Sequence, residues 1–250
     1  MAQPAHLTNA PLVESVIDLR VRMPAEFNVE VFAGLQERFG PGYKEPQPLT
    51  QMQLTFQAEL GVPPKSRIVH QGLTGFRYDS SDGKRIAQFQ KDGFTFSHLA
   101  PYTNWEQFFS EAARLYHIFF EVGHPEEVTR VGVRYINRLL LPEAEVVDLT
   151  PFLTAPPPYL KGTGAVLTGF LTQIQILDPG TGVAARITQA IQPPGATPGQ
   201  IPIILDIDVF EETSRSADPD AALQRFGTLR QLKDKYFFES ITEKVVEMYK

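Results

Sequence analysis

Five arginines on two strand-like segments are the residues of this chain best suited to chemistry. Arg20 and Arg22 fall on one face of the first segment, and Arg130, Arg134 and Arg138 fall on one face of the second. A guanidinium group presents a planar fork of N–H donors that matches the oxygens of a carboxylate or phosphate. If the two segments lie side by side in one sheet, the arginines predict an anion site near its centre. The other interpretation is a solvated face on which arginines pair with carboxylates of neighbouring strands.

Glutamines on the predicted strands extend this polar surface. Amide side chains both donate and accept hydrogen bonds, so they could line a surface that binds a ligand or a polymer. The simpler interpretation is an uncharged sheet face turned toward solvent. We add Gln53, Gln88 and Gln173 to the five arginines as candidate ligand-binding residues. The strand glutamines are Gln51, Gln53, Gln57, Gln88, Gln90, Gln173, Gln175 and Gln189.

Two aspartates share one face of a later strand. Asp206 and Asp208 alternate there with apolar residues that include Leu205 and Ile207. Paired carboxylates can bind a metal ion or act as an acid–base couple. The sequence supplies no third ligand, and pairing with the arginines or exposure on a strand face explains the two aspartates equally well.

Several classes of site are excluded or lack their motif. The chain has no cysteine, which excludes disulfides, cysteine-ligated zinc, iron–sulfur clusters and thiol nucleophiles. The five histidines show no metal-binding spacing, and the serine-nucleophile elbow and the phosphate-binding loop are both missing. We therefore predict no catalytic residue, metal or cofactor. These absences favour a protein that is not an enzyme, and the sequence leaves the question of catalytic activity open.

Period-two alternation of apolar and polar residues predicts most of the chain as half-buried strands. A short helix after the first strand has Asn28 as its N-cap, with Phe27 and Phe32 in position for a hydrophobic staple. Alternating strands of this kind favour an antiparallel sheet that is covered by helices on one face. The predicted strands span 13–22, 51–59, 68–79, 84–90, 93–99, 128–141, 166–177, 183–191 and 201–211.

Two long amphipathic helices are predicted near 104–122 and 219–249. Thr103 and Glu106 form a capping box at the start of the first helix, whose aromatic stripe is expected to pack in the core. Asp218 caps the second helix, with Pro219 at its first position.

The second long helix keeps its helical spacing to the end of the chain. Gly227 could interrupt it, because glycine has low helix propensity. The residues that keep the spacing are Phe226, Leu229, Lys233, Phe237, Ile241, Val245 and Met248.

The order of elements predicts one α+β domain built from two pseudo-repeats, about 11–125 and 128–250. Each half opens on an arginine-bearing strand, continues through several antiparallel strands and closes on a long helix, and a Pro/Gly-rich segment at 142–165 follows the second opening strand. The TATA-box-binding protein has this duplicated order of strands and helices, with a curved antiparallel sheet packed on two long helices. The analogy concerns architecture alone, because one fold serves many functions.

The net charge and the hydropathy of the sequence limit the kinds of partner that we expect. The net charge of −6 lowers the expectation of nucleic-acid binding, which depends on cationic side chains. No apolar run approaches the ~20 residues that a membrane-spanning helix needs. The N-terminus lacks the pattern of a secretory signal. With the missing cysteines, these features lead us to expect a cytoplasmic protein.

Four stretches together resemble a sporadically distributed prokaryotic protein family of uncharacterised function. They are Leu7–Ile17, Gln88–Ser97, Val133–Arg138 and Phe237–Lys244, and they are spread over nearly the whole chain. The resemblance implies a full-length, single-unit prokaryotic protein of roughly this length. It implies no reaction and no site residues.

The leading functional hypothesis is a non-enzymatic binding or interaction protein. Its polar, arginine-centred sheet face would hold an anionic small molecule or a protein partner. One alternative is nucleic-acid binding across the same face. The last is an enzyme for phosphorylated or carboxylated substrates, with Asp206 or Asp208 as acid–base group. The long C-terminal helix could also mediate formation of a homodimer.

Overall fold

The chain forms an α+β fold around one open antiparallel sheet, as a computed structural model shows. The structure describes residues 2–3, 7–57, 65–101, 104–143, 148–158, 167–192 and 199–250, without the side chains of 51–57 and 65–71. Within these ranges the strands are β1 (Leu12–Arg22), β2 (Gln47–Gln57), β3 (Lys65–Asp79), β4 (Arg85–Gln90), β5 (Gly93–Leu99), β6 (Glu127–Pro142), β7 (Leu171–Leu177), β8 (Ala184–Ile191) and β9 (Gln200–Ser216). The helices are a 3-10 helix (Val29–Gly34), α1 (Gln36–Phe39), α2 (Trp105–Gly123), α3 (Pro219–Ser240) and α4 (Glu243–Tyr249).

The two arginine-bearing strands lie side by side at the centre of the sheet, which meets the condition for the arginines to come together there. The strand order is β2-β3-β4-β5-β1-β6-β9-β8-β7. In the central pair Ile17 lies opposite Val133, and Asp18 lies opposite Gly132. Asp18 and the arginines of β6 therefore come from different halves of the chain and meet on one face.

The other face of the central strands is the core, and both long helices cover it. Leu19, Val133 and Ile207 are fully buried there. Phe108 of α2 stacks on Phe96 of β5, and α3 contacts β6 and β9. The prediction of helices on one face of an antiparallel sheet is confirmed.

The start of α2 differs from the prediction by one residue. Asn104, not Thr103, is the N-cap, and its side chain accepts a hydrogen bond from the Gln107 amide at 2.8 Å. Thr103 lies outside the described residues. Asparagine is preferred to threonine as an N-cap, whereas the spacing of Thr103 and Glu106 matches a capping box, so the two local signals favour different residues.

The predicted C-terminal helix of 219–249 is two helices. Asp218 caps α3 as expected, by accepting hydrogen bonds from the amides of the first turn, and the helix passes through Gly227 without interruption. It ends because Ile241 adopts an extended conformation and forms a β-bridge with Leu153. Thr242 then starts α4. A long-range strand contact thus ends a helix whose apolar spacing continues unbroken.

Other boundaries shift by a few residues. The predicted strand at 166–177 starts at Leu171 in β7, and β9 extends to Ser216 rather than ending at 211. The predicted short helix is a 3-10 helix followed by α1, with Asn28 as its N-cap. The rings of Phe27 and Phe32 lie 5.3 Å apart, which confirms the hydrophobic staple. No helix in the described ranges is long and apolar enough to cross a membrane.

Candidate functional site

The open face of β1, β6 and β9 carries a connected set of ion pairs, which we call the arginine face. It consists of Asp18, Arg20, Arg130, Arg134, Asp206 and Asp208. Strand register brings these residues together, since Arg134 lies opposite Asp208 and Ile136 lies opposite Asp206. The interpretation of arginines paired with carboxylates across strands, including Asp206 and Asp208, describes this geometry.

Arg130 is the centre of the arginine face. Its Nη2 donates to both carboxylate oxygens of Asp208, at 2.7 and 2.9 Å, and its Nη1 donates to Asp18. The guanidinium lies 4.6 Å above the ring of Phe210. It can do so because residue 132 is glycine: a Cβ atom there would lie 2.6 Å from Nη1. The glycine therefore makes room for the arginine that links the two halves.

The flanking arginines are also paired with carboxylates. Arg134 binds Asp206 through two parallel hydrogen bonds of 2.9 and 2.6 Å. Arg20 Nη2 lies 2.7 Å from Asp18 Oδ1. Hydrogen bonding to Asp206 raises the pKa of Arg134, whereas burial raises the pKa of Asp208 against the opposing effect of Arg130. The charges on this face largely balance one another.

Among the remaining predicted residues with described side chains, Gln88 reaches this set only through Gln90, whose Oε1 accepts from Arg20 at 3.2 Å. The others do not join it. Arg22 binds Glu127 at 2.9 Å near the end of β1, and the Nε of Arg138 is buried without a hydrogen-bond partner. Gln88 lies two strands away on β4 and accepts from Gln90. Gln173 lies on β7, at the edge of the sheet, and donates to Thr188. The side chain of Gln53 lies outside the described residues. The seven predicted residues whose side chains the structure describes therefore do not converge on one site.

A second candidate site lies on the helical side of the sheet, in a cavity of about 950 Å³. It opens where the two halves meet. Its wall is built from the N-terminal segment Leu7–Leu12, the start of α2 at Asn104–Glu106, Tyr135 and Asn137 of β6, and α3 from Arg230 to Phe238. We call it the inter-half cavity.

Lys233 is the least expected residue of this wall. Its residue surface is 7% exposed, and its Nζ lies 3.7 Å from the centre of the Tyr135 ring. Nζ also donates to Asp234, the next residue of α3. Burial lowers the pKa of Lys233, since the charged form loses its hydration.

Arg230 supplies a second cation one turn earlier on α3. Its Nη1 donates to Glu106 Oε1 at 3.1 Å, and its guanidinium lies 5.3 Å above the ring of Trp105. Nε lies 4.0 Å from Asp234 Oδ2. Both cations of the cavity wall therefore have an acidic partner and an aromatic ring beside them.

The buried amide of Asn137 completes the polar part of the wall. Its Nδ2 donates to the carbonyl oxygens of Tyr135, at 3.3 Å, and Leu205, at 3.1 Å. Both amide hydrogens are then used, so Asn137 can offer a ligand only its Oδ1 acceptor. Apolar surface from Trp105 and Phe237 makes up much of the remaining wall.

The sequence contains one signal that could have led to this cavity. Lys233 occupies a core position in the apolar stripe of α3, between Leu229 and Phe237. Lysine is almost never fully buried unless it has a partner, so a lysine in such a stripe is a candidate for a functional role. A single lysine matches no catalytic motif, so motif patterns do not identify it.

No known protein-family model matches this sequence, and no curated protein matches it.

Proposed function

We propose that this protein is a non-enzymatic binding protein that holds a small anionic ligand in the inter-half cavity. The observation that carries the proposal is the buried Lys233 on the wall of a cavity of about 950 Å³. Clefts that bind small molecules span roughly 300–1,000 Å³ and combine apolar walls with a few polar groups. A ligand with an aromatic or aliphatic body and a carboxylate or phosphate end has the matching chemistry.

The exposure of the acidic partners favours the cavity over the arginine face as the anion site. In the cavity, the side chains of Asp234 and Glu106 are 48% and 72% exposed, so water can solvate them when a ligand anion replaces them. The pair of Arg230 with Glu106 is exposed on both sides, and such pairs are worth about 0–1 kcal/mol. On the arginine face, Asp18, Asp206 and Asp208 are only 14–15% exposed. An anion that displaced them would leave buried carboxylates unpaired, which costs several kcal/mol.

The ligand would use the two kinds of surface at once. Its anionic end would contact Lys233 and Arg230, and Asn137 Oδ1 would accept from any hydroxyl or amine that it carries. Its apolar body would lie against Trp105 and Phe237. Burying such a body contributes about 25 cal/mol per Å².

The fluorescence of Trp105 provides the test, because it is the only tryptophan of the chain and lines the cavity. We would titrate aromatic and aliphatic carboxylates and phosphates against the protein, and compare native with denatured mass to detect a retained ligand. Wild type should bind, and Lys233→Met should lose most of the affinity. Lys235→Met is the matched control, since Lys235 is exposed two residues later on α3.

Variants of the arginine face distinguish the two sites. Arg134→Ala, which removes the most exposed arginine of the arginine face, should bind the cavity ligand as wild type does. If that variant loses binding while Lys233→Met keeps it, the ligand belongs to the arginine face. If no compound binds and the native mass shows no retained ligand, the proposed function is wrong.

The arginine face remains in the proposal as a surface for a protein partner. The support is Arg134, whose side chain stays 47% exposed while both of its hydrogen bonds are made. A nucleic-acid partner is less favoured than a protein partner on this face. The paired carboxylates cancel the positive charge that binding to a phosphate backbone requires. Binding to DNA or RNA that weakens steeply with salt would reverse this order.

We also propose that the two halves arose by duplication, with the strand and helix order of the TATA-box-binding protein. The support is the strand order on either side of the central pair. Outward from the centre it is β1-β5-β4-β3-β2 in the first half and β6-β9-β8-β7 in the second, so in each half the first strand pairs with the last.

A further inference from the structure

The edge strand β7 has an exposed, uncharged surface. Among the strands that the structure describes, it pairs with β8 alone. Leu171, Ile174 and Leu177 are 73%, 52% and 66% exposed. Natural proteins usually protect such edges with charged residues, proline or a bulge, because an open edge pairs with other chains. The sequence Leu-Thr-Gln-Ile-Gln-Ile-Leu contains neither a charged residue nor a proline.

The sequence of β7 is nearly palindromic about Ile174. If two copies pair antiparallel about a twofold axis at this residue, Leu171 lies opposite Leu177 of the second copy, and Gln173 lies opposite Gln175. The two Ile174 side chains face each other. A twofold interface must be complementary to itself, and this register satisfies that requirement along the whole strand.

The hydrogen bonds of the two glutamines within one chain also fit this register. Gln173 donates through Nε2 to Thr188 Oγ1 at 3.1 Å, which leaves its Oε1 as an acceptor. Gln175 accepts through Oε1 from Arg186 at 3.4 Å, which leaves its Nε2 as a donor. When Gln173 of one copy lies opposite Gln175 of the other, the free acceptor of the first therefore faces the free donor of the second. The twofold axis produces this contact twice.

We propose that β7 is a dimerisation strand through which a second copy of this chain extends the sheet. The proposal is independent of the cavity ligand. It places the dimer contact away from the C-terminal helix, because α3 already buries Phe226 and Leu229 within its own chain. Backbone hydrogen bonds and the apolar side chains of β7 would join the copies.

Solution mass measurements over a range of protein concentrations test the proposal. Wild type should form a concentration-dependent dimer, and Ile174→Lys should be monomeric, since it places two like charges opposite each other. Val31→Lys is the matched control, because Val31 is also an exposed apolar residue but lies on the 3-10 helix. It should dimerise as wild type does. A monomeric wild type, or a dimer that Ile174→Lys leaves intact, overturns the proposal.

Cysteine cross-linking tests the register, and the chain has no native cysteine to interfere. Residues opposite each other in an antiparallel pair have Cα atoms about 4.5–5.5 Å apart, within the range for a disulfide. Ile174→Cys should therefore cross-link with itself under mild oxidation. Leu171→Cys alone should not, since its twin would lie about 20 Å away along the strand.

A mixture of Leu171→Cys and Leu177→Cys should cross-link as mixed dimers. Equal self-cross-linking of Leu171→Cys would show a different contact and would contradict the pairing about Ile174.

Discussion

Lys233 is buried on the wall of the inter-half cavity instead of being exposed to water. Its aliphatic stem lies in the apolar stripe of α3, and its ammonium group contacts Tyr135 and Asp234. Burial of a charge opposes folding, so replacement by an apolar side chain of similar length is often neutral or stabilising. A residue that costs stability in this way is typical of a functional site.

The proposed ligand should bind less well as the pH rises through the pKa of Lys233. Burial lowers that pKa, so the ammonium group should be lost at a lower pH than for an ordinary lysine, whose pKa is 10.5. An anion needs the charged form. The measurement is ligand affinity against pH by Trp105 fluorescence, for wild type and for Lys233→Arg, which stays charged throughout.

The stability of the unliganded protein should change in the opposite direction. In the unfolded chain Lys233 binds a proton up to its ordinary pKa, whereas in the folded chain it releases the proton earlier. The unfolded state therefore holds more protons between the two pKa values, and the contribution of Lys233 to the free energy of unfolding rises with pH there. Lys233→Met should lack this rise. An identical pH profile for both proteins would contradict the burial of the charge.

At the scale of elements, the central strand pair depends on the glycine that accommodates Arg130. Gly132 lies opposite Asp18 on β1 and Phe210 on β9, and Arg130 lies across it. With a side chain at residue 132, the guanidinium would have to move from its position between Asp18 and Asp208. The sequence places the arginines and aspartates on the polar face of each strand, but only the register decides which of them meet.

We expect Gly132→Ala to lower the free energy of unfolding by about 1–3 kcal/mol, because the new Cβ displaces Arg130 from its two carboxylates. The measurement is a double-mutant cycle with Arg130→Met, in denaturant unfolding. Gly132→Ala should cost clearly less in the Arg130→Met background, since the ion pairs are already lost. Equal costs in both backgrounds would show that Gly132 acts through the backbone alone.

At the scale of the molecule, the two halves share one sheet and one core. β1 pairs with β6 along its whole length, from Leu12 to Arg22. The inter-half cavity also takes its wall from both halves, since Trp105 belongs to the first and Arg230 to the second. Neither half can unfold without exposing the central strand of the other.

The protein should therefore unfold in one cooperative transition. Trp105 fluorescence reports on the junction of the halves, and far-UV circular dichroism reports on the secondary structure of both. The two probes should give the same midpoint and slope in denaturant. Two separated transitions would show that the halves unfold independently.

The sequence alone predicts the local elements of this protein because their signals are local. The alternation in β1 and β6, the cap at Asp218 and the hydrophobic staple at Phe27 and Phe32 depend on neighbours a few residues apart. The similar layout of the two halves suggested β1 and β6 as corresponding strands, but their side-by-side placement is a result of the tertiary structure.

Features that depend on contacts between residues far apart in sequence are decided only by the tertiary structure. The helix ends at Ile241 because Leu153 pairs with it, and Lys233 becomes a cavity residue because α3 packs over Tyr135. A helical stripe marks a position as buried, but it does not show whether packing there leaves a cavity. Periodicity thus determines which face of an element turns inward, while the packing of elements far apart in sequence decides what each residue meets there.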